Sequence, residues 1–184
     1  MARIISGRSR NSKVEMPPGK HTRPTGERVK EAVFSSLQML IDGARFLDLY
    51  AGSGQMGLEA ASRGAEVVMV ESDAVAFRYL KQNVRRSGLA IETYRTRDQV
   101  AIGKLLEQGR SFDIIYCDPP WDDLENTILH HSVLEKLSDL LSEEGMMLLE
   151  ARSKDTEVLV PGLNLDRRNQ YGNTTIYFYR KQLS

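Results

Sequence analysis

Asp118-Pro119-Pro120-Trp121 closes the apolar run Phe112–Cys117 with an acid, two prolines and the only tryptophan of the chain. Each residue type supplies something that a planar amine needs. Proline has no N–H and a fixed φ, so Pro119 and Pro120 stiffen the turn and leave carbonyls as acceptors. Asp118 adds a side-chain acceptor, and Trp121 offers a broad apolar face on which a flat ring stacks. An amine attached to a nucleobase is a poor nucleophile because its lone pair is delocalised into the ring. Two acceptors holding its hydrogens favour the geometry that aims the lone pair at a methyl donor. Positioning and preorganised charge then carry the rate, with no strong base for the attack. The competing reading is a rigid strand-to-helix turn, with Asp118 as a cap and Trp121 in the core.

A second constellation lies upstream, in the stretch DLYAGSGQMG, where Gly52, Gly54 and Gly57 form a G-x-G-x-x-G pattern at the entry to a helix. The glycines permit a tight turn and close approach of a ligand, and the helix start offers amide hydrogens. Two acids extend the pattern. Glu71 ends the next apolar run, where a carboxylate accepts both hydroxyls of a ribose, and Asp98 follows the third run, in reach of an adenine amine. Asp98 also suits a cap of the following helix. Asp48, four residues before Gly52, discriminates between nucleosides. A carboxylate there repels the pyrophosphate of NAD and suits the ammonium of S-adenosylmethionine, which carries an adenine and a ribose without phosphate. The predicted cofactor is therefore S-adenosylmethionine, with an NAD oxidoreductase as a distant alternative.

The elements that must position these residues follow from periodicity. From Phe46 onward, short runs rich in β-branched or aromatic residues (RFLDLY, EVVMVE, IETYR, FDIIYC, GMMLLEA) alternate with helical patterns at Gln55–Arg63, Ala74–Ser87, Gln99–Gln108 and Leu124–Leu141. This rhythm predicts an α/β fold, a Rossmann-like, mostly parallel sheet with helices on both faces. The last two runs, NLDRRNQYG and TTIYFYR, have no helix between them and should close the sheet as an antiparallel pair. Gly64, Gly88 and Gly109 suit the ends of the first three helices. Upstream, RIISG and KVEM flank a polar loop, which predicts a small N-terminal hairpin followed by the extended linker PPGKHTRP. A helix is expected over Glu27–Ile41, capped by Thr25, with Val29, Val33, Phe34, Leu37 and Leu40 on one face. The expected division is a basic hairpin and linker over residues 1–26 and a catalytic domain over 27–184.

Hydrophobic residues make up 41% and charged residues 27% of the 184, ordinary values for a globular chain, and no apolar run reaches the roughly 18 residues of a spanning helix. A basic N-terminus without an apolar stretch and a single cysteine predict a cytoplasmic protein without internal disulfides, read here as a monomer with no membrane partner. The formal net charge of zero conceals a polarity. Through Lys30 there are eight basic residues (Arg3, Arg8, Arg10, Lys13, Lys20, Arg23, Arg28 and Lys30) against Glu15 and Glu27 alone. Cys117 is read as a small buried hydrophobe. His130 and His131, adjacent on a helix, point apart, and no metal site is expected.

In their order, DLYAGSGQMGLEAASRGA, VESD and CDPPW resemble class I S-adenosylmethionine-dependent methyltransferases acting on exocyclic amines. RIISGRSR, TRPTGERVKEAVFSSL and YGNTTIYFYR narrow the resemblance to the RsmD family, bacterial small-subunit ribosomal RNA guanine-N2 methyltransferases, over nearly the whole chain. The resemblance implies that Asp48, Gly52 and Gly54 line the methionine end of the cofactor, Glu71 the ribose and Asp98 the adenine. It implies that Asp118, Pro119, Pro120 and Trp121 hold the target guanine in 16S ribosomal RNA or a small-subunit assembly particle. Family members often carry Tyr or Phe at the position of Trp121, and adenine-N6 methyltransferases also end this motif in Trp, so adenine stays open as the base. Arg3, Arg8, Arg10, Lys13, Arg23 and Arg28 then become candidate RNA phosphate contacts. A non-catalytic RNA-binding assembly module is the reading from a different class.

Overall fold

A computed structural model describes residues 2–18, 26–119, 131–152 and 159–181. Strands β1 (Ala2–Arg3) and β2 (Lys13–Val14) pair antiparallel as the expected hairpin, and helix α1 (Glu27–Ser36) follows the linker. The main unit then runs β3 (Arg45–Asp48), α2 (Gln55–Ser62), β4 (Glu66–Glu71), α3 (Ala74–Ser87), β5 (Glu92–Arg95), α4 (Asp98–Glu107) and β6 (Phe112–Cys117). It ends with α5 (His131–Leu140), β7 (Leu141–Arg152), β8 (Leu163–Tyr171) and β9 (Thr174–Lys181).

The seven main strands lie in the order β5-β4-β3-β6-β7-β9-β8. The first five are mutually parallel, and β9 runs antiparallel to both β7 and β8, as the last two apolar runs predicted. Both faces are covered, which is why the central strands are nearly continuous apolar runs rather than alternating ones. Phe46, Met69, Ile114, Tyr116 and Leu148 point to the face packed by the hairpin, α1, α2 and α3. Leu47, Val68, Ile115, Cys117 and Leu149 point to the face packed by α4 and α5. Arg45 fixes the β3–β6 register at the amino edge, its backbone N–H and guanidinium both donating to the Asp113 carboxylate. The chain leaves β3 for β4 on one side, while β6 returns on the other. The switch point of the topology therefore opens between the carboxyl ends of β3 and β6, where ligands of such sheets bind.

Helix boundaries differ from the sequence expectation by one to five residues. Helix α1 stops at Ser36 rather than Ile41, and residues 37–40 form a turn that exposes Leu40 and buries Ile41 in its place. Its N-cap is Gly26, without a side-chain cap; Thr25 lies outside the described residues. Asp98 is the first residue of α4, with Arg97 as its N-cap. Of the helical pattern at Leu124–Leu141, the described part is α5, and Leu141 already pairs with Phe112 as the start of β7. Among the described residues, no helix is long and apolar enough to cross a membrane.

Candidate active site

The glycine loop leaves β3 at the switch point. Leu49 continues the β3–β6 pairing by donating its amide to the Tyr116 carbonyl at 3.0 Å, and Ala51 ties the loop to β4 through the Val70 carbonyl at 2.9 Å. Gly52 and Gly54 take φ values of 55° and 90°, the left-handed region that a side chain disfavours. Gly57 serves a different need: a Cβ there would sit 2.8 Å from Cγ and Sδ of Met69, so the residue lets α2 lie directly on β4.

All three predicted acids converge on this loop. Asp48 is buried, and its Oδ2 accepts the Gly57 amide at 2.9 Å. Glu71 accepts the Gly52 amide at 2.7 Å on Oε2 and the Asp73 amide at 2.7 Å on Oε1. Asp98 accepts the Tyr50 hydroxyl at 2.5 Å on Oδ2 and the Gln99 amide at 2.7 Å on Oδ1. Acids from the ends of β3, β4 and β5 are thereby fixed to one turn. Asn83, buried on α3, adds a strut: its amide N–H2 donates to the carbonyls of Glu15 and Ser53, joining the end of the hairpin to the loop.

The electrostatics favour a cation at this place. Burial raises the Asp48 carboxyl to about 7, the Gly57 N–H offsets part of that rise, and the nearby Glu71 charge adds to it. Burial likewise raises Glu71, against the opposing pull of the Asp73, Gly52 and Ser72 amides. An interior acid whose ionisation is suppressed by desolvation gains most from a ligand ammonium placed beside it. The acids at this loop suit the ammonium of S-adenosylmethionine and would repel a pyrophosphate.

Across the switch point, Asp118 and Pro119 follow β6, two and three residues beyond Tyr116, the parallel register partner of Asp48. Asp118-Pro119 and the glycine loop thus follow neighbouring strands at the same edge. Pro120 and Trp121 lie outside the described residues, as do Lys20, Arg23 and His130. Arg3, Arg8, Arg10, Lys13 and Arg28 are exposed, whereas Lys30, counted in the positive excess of the N-terminus, is fully buried. Cys117 is buried among the strands, and burial pushes its thiol well above the usual range. Among the described residues, no group of His, Cys, Asp and Glu is arranged to hold a metal.

Sequence reasoning passed over Tyr50, Tyr116 and Glu150. The Tyr116 hydroxyl donates to Oε2 of Glu150 in a pair buried between β6 and β7. The signal for Glu150 was an acid near the end of the apolar run GMMLLEA, the same signal that singled out Glu71.

The chain has relatives along nearly its whole length. The family model described as "Conserved hypothetical protein 95" matches residues 2–180. YlbH of Bacillus subtilis strain 168 is 33% identical over 187 residues, with 98% of this chain and 99% of that protein covered. Ribosomal RNA small subunit methyltransferase D of Escherichia coli strain K12 is 32% identical over 184 residues, covering 98% and 90% respectively. A solved structure of a hypothetical protein from Thermus thermophilus superposes with a TM-score of 0.84 at 32% identity, covering 98% of this chain and 99% of the other. With these matches spanning the hairpin, the glycine loop and the turn after β6 alike, the chain belongs to the RsmD family of class I methyltransferases.

Proposed function

We propose that the protein transfers a methyl group from S-adenosylmethionine to the exocyclic N2 amine of a guanine in small-subunit ribosomal RNA. The observation that carries this reading is that Asp118-Pro119 directly follow β6, the parallel neighbour of β3, which leads into the acid-linked glycine loop. An E. coli relative that acts on small-subunit ribosomal RNA, by its name, supports the substrate class.

When bound, S-adenosylmethionine supplies an electrophilic methyl group on a sulfonium. Asp48, beside the Gly52–Gly54 loop, would hold the ammonium of the cofactor, Glu71 would hold the ribose hydroxyls, and Asp98, held by Tyr50, would hold the adenine amine. Asp118 and the Pro119 carbonyl accept the two N2 hydrogens of the guanine, which turns the nitrogen lone pair out of conjugation. Trp121 stacks on the base. The Asp118 carboxylate then carries off the proton that N2 sheds on gaining its methyl group. The exposed basic residues of the hairpin meet RNA phosphates, with Arg23 and with Arg28 of α1.

Incubation with methyl-labelled cofactor and unmethylated small-subunit particles, followed by nucleoside analysis, tests the reading. N2-methylguanosine is expected; label on adenosine alone, or on no RNA, would exclude it. Asp118→Ala should bind cofactor as the wild type does and lose turnover on the order of 100-fold, the scale of removing one preorganised polar group from a reacting centre.

A further inference from the structure

Glu150 is an acid in the otherwise apolar stretch Met146–Ala151 of β7 and is only 4% exposed. An isolated carboxylate in such a place is costly, so its partners define its purpose. Tyr116, 1% exposed, donates its hydroxyl to Oε2 and fixes the plane of the carboxylate. Burial and the charges of Glu150, Asp118 and Asp48 raise the phenol well above its usual range, so it stays a donor. The parallel register runs as far as Cys117 opposite Leu149, and Asp118 and Glu150 are the residues that follow this last pair. Strand alternation puts Tyr116 and Glu150 on one face, and Asp118 comes two residues after Tyr116.

Two neighbouring carboxylates distinguish purines. Beside its N2 amine, guanine presents N1–H, a second donor. Beside its N6 amine, adenine presents the lone pair of N1, which a carboxylate repels. A carboxylate has about four lone-pair directions, so the bond from Tyr116 is compatible with a further donor. Resting on the methyltransferase reading above, we propose that Glu150 is a specificity-determining residue that selects guanine by meeting its N1–H beside the amine held at Asp118.

The test uses small-subunit particles reconstituted with either guanine or 2-aminopurine at the nucleotide that the wild-type protein methylates. 2-Aminopurine keeps the amine at C2, replaces N1–H by a lone pair and lacks O6, so the change of the preference in a Glu150 variant reads the N1–H contact. The wild type should favour guanine by at least about tenfold in kcat/KM, the discrimination expected of one charge-assisted hydrogen bond. Glu150→Gln keeps an acceptor for Tyr116 but offers the base an amide N–H2, and should narrow that ratio to within about threefold. Equal losses on both substrates, leaving the ratio unchanged, would assign Glu150 a structural role and overturn the proposal. A wild type that methylates both bases alike overturns it as well, whether or not the variant folds. Failure of the wild type to label guanine at all is a separate result: it removes the substrate reading, and the proposal with it.

Discussion

If Asp48 meets the cofactor ammonium as proposed, its protonation is coupled to cofactor binding. Its folded value of about 7 lies above the ordinary 3.8, so ionising it opposes folding. That penalty is absent below about pH 4, grows as pH rises and is complete above about pH 7. A bound ammonium reverses the preference and draws the proton off. The affinity for S-adenosylmethionine or S-adenosylhomocysteine should therefore rise between about pH 6 and pH 7.5, with net proton release near pH 7. Calorimetry in buffers of different ionisation enthalpy measures that release; Asp48→Asn should bind more weakly and lose the pH dependence over this range. Binding without proton release would remove Asp48 from the ammonium site. Asp48 and Glu71 were legible in the sequence because an acid ending an apolar run is out of place unless something pairs with it. Tyr50 was not, because a tyrosine in a turn has ordinary packing reasons, and its bond to Asp98 crosses from the β3 loop to α4.

The hairpin is the element that sequence described least completely. Its strands were readable from RIISG and KVEM, but its docking depends on contacts tens of residues away. Glu59 of α2 is fully buried and accepts the Ile5 and Ser6 amides at 2.7 and 3.0 Å as well as Nε of Arg63 at 2.8 Å. Lys30 of α1, also buried, lies 3.7 Å from Glu59 and donates to the Arg3 carbonyl at 2.5 Å. Gly7 approaches the Ser62 carbonyl so closely that a Cβ would lie 1.9 Å from its oxygen, at a φ of 83°. Glu59→Ala strands the Lys30 ammonium and two hairpin amides in the interior, and should destabilise the fold by about 3–5 kcal/mol. Urea unfolding monitored by circular dichroism measures the loss; a change under about 1 kcal/mol would show that the network adds little. The same distant demands explain the short α1. Its apolar period runs on through Leu40, but the chain must bury Ile41 and reach β3, so it turns after Ser36.

At the scale of the molecule, the strand rhythm and glycine caps were enough to anticipate the parallel sheet and its antiparallel close, because each strand carries its own burial pattern. What the rhythm could not locate is the polarity of charge in space. The tip of the hairpin binds the far end of α2: Arg8 donates its amide to the Ser62 carbonyl, and Ser9 Oγ donates to the carbonyl of Ser87, the last residue of α3. The glycine loop lies at the opposite end of α2, about 12 Å away along eight residues of helix. An RNA that touches both Arg8 or Arg10 and the turn at Asp118 must therefore extend along the flank of the domain, which favours a structured particle over a short single strand. Replacing Arg8 and Arg10 together by Ala should weaken binding of small-subunit particles and reduce the slope of log affinity against log salt by about 1.5–2, near one unit for each phosphate no longer neutralised. Turnover at saturating particle concentration should stay within about twofold, because neither side chain lies at the reacting edge. A salt series of filter-binding measurements, paired with initial rates, reads both quantities; an unchanged slope would show that the hairpin tip does not touch RNA.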